Sequence, residues 1–269
     1  MPTGFSPPSA IYSDHHGASY MQTTRQTGFV TGGGSGFGAA VARALHKAGF
    51  HVVIGDINRQ AAEALAAELD ATGATVMPVT LDVSRPDEVQ SALDQAIARF
   101  GALEVLVNNA ARTAAKPVLE ITPEEFNAVM AVNAGGTFAA SQIFGRHFKA
   151  RGYGRIINLG SLAGQNGGTA TGAHYAASKG AILTLTKVFA RDLAPFGVTV
   201  NAIAPGPMDT PMVHAVLDAE KLAALRTNIP VGQLGDPDFV ASLVVILAAP
   251  TASFVTGACW DINGGLFMR

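Results

Sequence analysis

One cysteine, Cys259, occurs in 269 residues. That excludes an intrachain disulfide framework and a zinc site built on cysteines. A chain so poor in thiols suits a reducing, cytoplasmic setting. Charge is scarce too: 18 Lys and Arg stand against 20 Asp and Glu, a formal net charge of −2. Without a basic excess, neither nucleic acid nor an anionic membrane is expected as a partner. No apolar run is long enough to span a bilayer. No fixed-period repeat and no long linker divide the chain. What is abundant is apolar residues, 48% of the chain, enough at this length for one large α/β domain with a substantial core.

Residues 1–24 differ from the rest. They contain Pro2, Pro7 and Pro8, many Ser, Thr and Gly, and the pair His15-His16. They have neither the basic n-region nor the apolar h-region of a secretory signal. They are expected to form an extension outside the core, with Met21 an alternative start and one domain over residues 25–269. Two adjacent histidines without a third ligand do not make a metal site, and no metal is expected.

From Gln26 onward, short apolar β-branched runs alternate with amphipathic segments. Strands are expected over 27–31, 51–55, 75–80, 105–107, 155–159, 198–203 and 258–262. Helices are expected over 36–47, 60–72, 87–100, 123–149, 175–195 and 238–248. Strands apolar on both faces are covered by helices on both sides, so the rhythm predicts a Rossmann-type, doubly wound parallel sheet. The segment from Pro207 to Pro230 reads as a helical insertion, with Met212, Val213, Val216, Leu217, Leu222 and Leu225 on one side. Core, oligomer contact and lid are all compatible with it.

The organising stretch is Thr31-Gly32-Gly33-Gly34-Ser35-Gly36-Phe37-Gly38. It follows the first strand and opens the first helix. In that layout, backbone N–H groups at a helix N-terminus face a phosphate, and glycine permits the close approach of a pyrophosphate. A glycine-rich loop without a ligand is the alternative, and the other strand ends bear on it. Parallel sheets bind at the carboxyl ends of their strands. Those ends carry Asp56, Asp82-Val83, Asn108-Asn109-Ala110-Ala111, Gly160-Ser161 and Pro205-Gly206-Pro207-Met208-Asp209-Thr210. All are small or polar, as one shared crevice requires.

With Asn133, Tyr175-Ala-Ala-Ser-Lys179, Asn201 and Asp261-Ile-Asn-Gly-Gly265 added, the chain from about residue 24 onward resembles the short-chain dehydrogenase/reductase family, in its single-domain Tyr-x-x-x-Lys branch. The resemblance implies a nicotinamide cofactor and Asn133, Ser161, Tyr175 and Lys179 as the catalytic set. It further implies that Gly32, Ser35, Gly36, Phe37 and Gly38 hold the pyrophosphate side, with Asp56 and Ile57 at the adenosine ribose. Asp82-Val83 would contact the adenine and Asn109-Ala110 its ribose. Lys179 would hold the nicotinamide ribose and Asn133 a water beside the lysine. Pro205 and Gly206 lead to Met208, packing on the nicotinamide ring, and to Thr210 at its carboxamide.

The chemistry can be argued alongside. Tyr175 and Lys179, four apart, share one helix face. A phenol with a pKa near 10 is a poor acid/base at neutral pH, and an ammonium beside it is expected to lower that value. Ser161 would donate to the same substrate oxygen. Asp56, ending the second strand, suits the ribose hydroxyls and repels a 2′-phosphate. NAD is therefore expected over NADP, with Arg59 the one cation able to complicate this. The expected activity is NAD(H)-dependent interconversion of a secondary alcohol and a ketone, with Tyr175 as general acid/base.

The closest general likeness is to 3-oxoacyl-carrier-protein reductases, which place basic residues near Arg146 and Arg191, and to polyol or sugar dehydrogenases. A non-enzymatic NAD-binding regulator is the alternative of another class. Relatives pair through their two long helices, so a homodimer or homotetramer is expected, with the apolar chain end 264–269 buried at an interface. Two departures from the family pattern stand out. Ala111 replaces a glycine, and the interval from Ser161 to Tyr175, which lines the substrate pocket, is slightly long.

Overall fold

The computed structural model describes residues 25–168, 171–210, 213 and 218–268. The extension with His15-His16 and Met21, and also Met212, Val216 and Leu217, lie outside the described residues. Seven parallel strands form one sheet: β1 (Thr27–Thr31), β2 (His51–Asp56), β3 (Val76–Thr80), β4 (Val105–Asn108), β5 (Gly154–Leu159), β6 (Val198–Pro205) and β7 (Cys259–Ile262). Their order is β3-β2-β1-β4-β5-β6-β7, the doubly wound arrangement expected from the sequence. The order reverses between β1 and β4, where Gly28 pairs with Val105 and Val30 with Val107. The ligand crevice of such sheets opens at that reversal.

The helices are α1 (Gly36–Lys47), α2 (Arg59–Leu69), α3 (Pro86–Phe100), α4 (Pro123–Met130), α5 (Gly136–Arg151), α6 (Ala163–Asn166), α7 (Ala173–Leu193), α8 (Ala219–Asn228) and α9 (Pro237–Ala248). Two apolar cores result. One joins Val30, Ile54 and Val107 to Val41 and Leu45 of α1, Leu65 of α2 and Val244 of α9. The other joins Phe29, Val53 and Leu106 to Val89 of α3, Phe144 of α5 and Leu193 of α7. Each strand thus buries successive side chains on opposite faces, which is why the runs read as continuously apolar.

Local chemistry sets several helix ends. Thr122 and Glu125 form a reciprocal capping box at α4, satisfying two otherwise unpaired N–H groups. Pro86 starts α3 and left-handed Gly101 ends it.

The long helix expected over 123–149 is interrupted. Residues Ala131–Gly135 form a π-helical turn between α4 and α5, and Asn133 sits in it. The interval between Ser161 and Tyr175, expected as a loop, contains the short helix α6. Within 207–230 the described helix is α8, with Leu222 and Leu225 half-buried.

A buried polar chain lies at the end of β4. Asn108 Nδ2 donates to Ser141 Oγ of α5 (3.0 Å) and to Asn158 Oδ1 of β5 (2.8 Å). Asn158 Nδ2 in turn donates to Thr186 Oγ1 of α7 (2.9 Å). Two strands and two helices are so fixed relative to one another, because each buried amide needs its partners.

Candidate active site

The glycine turn is braced from β4. Asn109 Nδ2 donates to the carbonyls of Thr31 (3.0 Å) and Gly32 (2.9 Å). Thr31 Oγ1 accepts from the backbone N–H of Asn109 (3.0 Å) and of Ala110 (3.1 Å). Both donors of the Asn109 side-chain amide are thus engaged in holding the turn. A Cβ on Gly38 would run into the Gly32 carbonyl, so only glycine closes this turn.

Gly36 has the opposite environment. Its φ is 52°, and a Cβ there would meet nothing within 4 Å. Ser35 makes no side-chain cap, and the first turn of α1 carries no acidic residue. The helix thus presents uncapped N–H groups to open space, which is how a helix start receives an anion. Phe37 is half-buried against the α1 core.

Asp56 is 9% exposed. Its Oδ2 accepts from Gly34 N–H and its Oδ1 from Asn58 N–H, both at 2.8 Å. Each oxygen keeps a lone pair for a hydroxyl. Ile57 beside it is exposed. At the next strand end, Ser84 donates from both N–H and Oγ to Asp82 Oδ1. These bonds hold the Asp82 carboxyl below its ordinary pKa. Val83 is buried in the second core.

At the end of β6, the Pro205 carbonyl accepts from Leu162 N–H (2.9 Å), and Gly206 N–H donates to the Ile262 carbonyl (2.8 Å). Met208 is 4% exposed, and its sulfur occupies the space a Cβ on Gly235 would need. Thr210 Oγ1 accepts from Val213 N–H (3.4 Å).

Ser161 follows β5, and Tyr175 and Lys179 lie in the first turns of α7. The Ser161 hydroxyl hydrogen-bonds the Tyr175 phenol, and its Oγ is oriented by accepting from Ala163 N–H (3.1 Å). Lys179 is 3% exposed. Its Nζ lies 5.6 Å from the Tyr175 ring centroid and donates to the Leu159 carbonyl (2.6 Å). The expected lowering of the tyrosine pKa by the lysine is not what this arrangement gives. Burial raises the Tyr175 phenol, opposed by the Ser161 hydrogen bond. Burial likewise brings Lys179 from its ordinary 10.5 down to about 8. Desolvation favours the neutral form of each group and outweighs their mutual attraction.

Asn133, fully buried, reaches both sides of the site. Its Oδ1 accepts from Arg112 N–H (2.7 Å). Its Nδ2 donates to the Arg112 carbonyl (3.0 Å) and to Ser178 Oγ (2.9 Å). Ser178 Oγ donates to the Tyr175 carbonyl (2.7 Å). Both amide donors of Asn133 and its Oδ1 are thus engaged with protein groups.

Four contributors were missed from the sequence: Thr31, Arg112, Gln165 and Ser178. Ser178 lay in view, inside the Tyr-x-x-x-Lys spacing. Gln165 Nε2 donates to Asp261 Oδ1 (2.6 Å), tying α6 to β7; nothing local in the sequence signals that long-range bond. Ala111 costs no strain, because no non-glycine residue has a positive φ among the described residues.

Compared with known proteins, residues 32–267 match a family model described as enoyl-(acyl carrier protein) reductase. The chain is 39% identical to 4-formylbenzenesulfonate dehydrogenase TsaC1/TsaC2 of Comamonas testosteroni, over 91% of this chain and 99% of that protein. It is 38% identical to the short-chain reductase protein NovJ of Streptomyces niveus, over 88% and 92%. It is 35% identical to the 3-oxoacyl-[acyl-carrier-protein] reductase FabG of Vibrio cholerae, over 92% and 100%.

Proposed function

The chain belongs to the short-chain dehydrogenase/reductase family and is an oxidoreductase acting on CH–OH and keto groups by hydride transfer; from that premise we propose that it is an NAD-preferring enzyme with Tyr175 as its general acid/base. When bound, the nicotinamide cofactor supplies or accepts the hydride. The protein's own groups manage the proton. Tyr175, kept protonated by burial, donates to the carbonyl oxygen in reduction and recovers the proton in oxidation. Ser161 donates a second hydrogen bond to that oxygen. Lys179 supplies positive charge beneath the phenol.

Asp56 is the observation that carries the choice of NAD. Its carboxylate sits at the end of β2 with free lone pairs, favouring ribose hydroxyls and opposing a 2′-phosphate. Arg59, the cation nearest to it in sequence, is engaged by Glu63 at 2.7 Å. Gly32, Ser35, Gly36, Phe37 and Gly38 line the pyrophosphate end. Ile57, Asp82, Val83 and Ala110 front the adenosine. Pro205, Gly206, Met208 and Thr210 front the nicotinamide. Steady-state kinetics with both cofactors test this: kcat/KM is expected to be at least about tenfold higher with NADH, a difference of about 1.4 kcal/mol. A preference for NADPH would overturn it.

A second reading is a 3-oxoacyl-carrier-protein reductase, favoured by the 35% identity to FabG over that protein's whole length. Of the basic residues that reading uses, Arg191 is engaged by Asp192 (3.0 Å). The name of the 39% identical relative, a dehydrogenase, better suits NAD and oxidation. We place the subunit contact on α4, α5 and α7, where Phe126, Phe138 and Val188 are exposed. A single cysteine supports a cytoplasmic setting.

A further inference from the structure

We propose that Arg112 is a substrate-binding residue that takes an oxoanion carried by the carbonyl or alcohol substrate, so that the preferred substrates are anionic. This deepens the reading above and rests on it.

Arg112 follows the carboxyl end of β4, and its backbone is held on both sides by one buried side chain. Asn133 accepts from its N–H at 2.7 Å and donates to its carbonyl at 3.0 Å. The same amide reaches Ser178, which bonds the backbone of Tyr175. Two side chains therefore connect the Arg112 backbone to that of the proposed acid. Two residues on, the Ala114 carbonyl accepts from Gly172 N–H (3.1 Å), and Gly172 is the N-cap of α7. Residues 112–114 thus cross the end of the helix that carries Tyr175.

Composition makes Arg112 distinctive on this wall. Ala111, Thr113, Ala114 and Ala115 are small and exposed, so Arg112 is the one long side chain there. It is exposed, and among the described residues its guanidinium has no ion pair. Lys116, the other cation of the segment, is taken by Glu125 at 2.7 Å. A guanidinium offers a planar fork of donors that matches carboxylate, sulfonate and phosphate alike. The two backbone bonds to the buried Asn133 amide hold the start of the Arg112 side chain beside α7. A fixed starting point narrows where the guanidinium can meet a substrate's charge, lowering the ordering cost of binding.

The test uses matched ketones with NADH. Acetoacetate and its methyl ester form one pair; 4-acetylbenzoate and its methyl ester form another. 4-Acetylbenzenesulfonate and 4-acetylphenyl phosphate distinguish the oxoanions. The readout is the ratio of kcat/KM, anion over neutral, for the wild type, Arg112→Lys and Arg112→Ala. In the wild type the ratio is expected to exceed about 10, the effect of one charge-assisted contact. It should fall towards 1 in Arg112→Ala through KM, with Arg112→Lys between, and it should fall with added salt only while Arg112 is present. A wild-type ratio near 1, or a ratio unchanged in Arg112→Ala, overturns the proposal and leaves the oxidoreductase reading standing. Absence of turnover on every member, charged or neutral, overturns both.

Discussion

Tyr175 and Lys179 share a helix face, yet burial drives each towards its neutral form, the phenol upward and the ammonium down to about 8. Their spacing was legible as a pair of side chains; the balance between attraction and desolvation was not, because it depends on how deeply α7 is packed. Replacing Tyr175 with Phe removes the proposed proton donor while keeping the ring. Turnover is expected to fall by about 10²–10⁴-fold, the usual contribution of a general acid, with NADH binding retained; fluorescence titration of NADH checks the second part. Lysine has the larger thermodynamic consequence. Between about 8 and its ordinary 10.5, the folded protein binds fewer protons at Lys179 than the unfolded chain does. The Lys179 contribution to stability therefore rises with pH across that window, and below it the buried ammonium costs at most about 3.5 kcal/mol. Lys179→Met is expected to melt no lower than the wild type at pH 7, with its advantage shrinking by pH 10. Thermal melts at both pH values check this; a destabilised variant at pH 7 would show that the bond to Leu159 dominates.

The element that matters most is the π-helical turn Ala131–Gly135 between α4 and α5. Helical periodicity runs through 123–149 without a break, since one extra residue in a turn barely shifts an apolar pattern. The turn holds Asn133, whose three side-chain hydrogen bonds link the loop after β4 to α7. Asn133→Ala removes the partner of Ser178 Oγ and of both Arg112 backbone groups and is expected to cost about 1–3 kcal/mol. Denaturant titration gives the value, and a loss below about 1 kcal/mol would mean that water replaces the amide. Strand and helix positions were otherwise readable to within a few residues, because β-branched runs and caps such as Thr122 and Gly101 act locally. Arg155 shows where that reading fails. This cation inside a buried strand is 2% exposed and donates to the carbonyls of Gly154, Gly197 and Pro250. Gly197 and Pro250 come from distant segments that no local pattern brings together.

At the scale of the whole molecule, the alternation of elements was enough for the parallel doubly wound sheet, and the strand ends carry the proposed crevice. The motifs named the residues of the candidate site, but not their partners. Asn109 braces the turn and Met208 is buried, because a motif records which residue is present and not which hydrogen bonds it has already made. Phe126, Phe138 and Val188 are exposed on α4, α5 and α7, and Phe138 lies tilted against Phe189 with ring centroids 5.8 Å apart. Sedimentation is expected to give a dimer or tetramer for the wild type and smaller species for Phe138→Glu; a monomeric wild type would contradict this. The central claim is that this crevice passes hydride between a nicotinamide and a carbon bearing oxygen, with Tyr175 moving the proton. Its most direct test is a single turnover with NADH deuterated at C4 and the best ketone of the panel. Deuterium is expected on the carbinol carbon of the product with wild type, and almost none with Tyr175→Phe in the same time. Product without deuterium from either C4-deuterated epimer of NADH, or equal transfer by Tyr175→Phe, would contradict it.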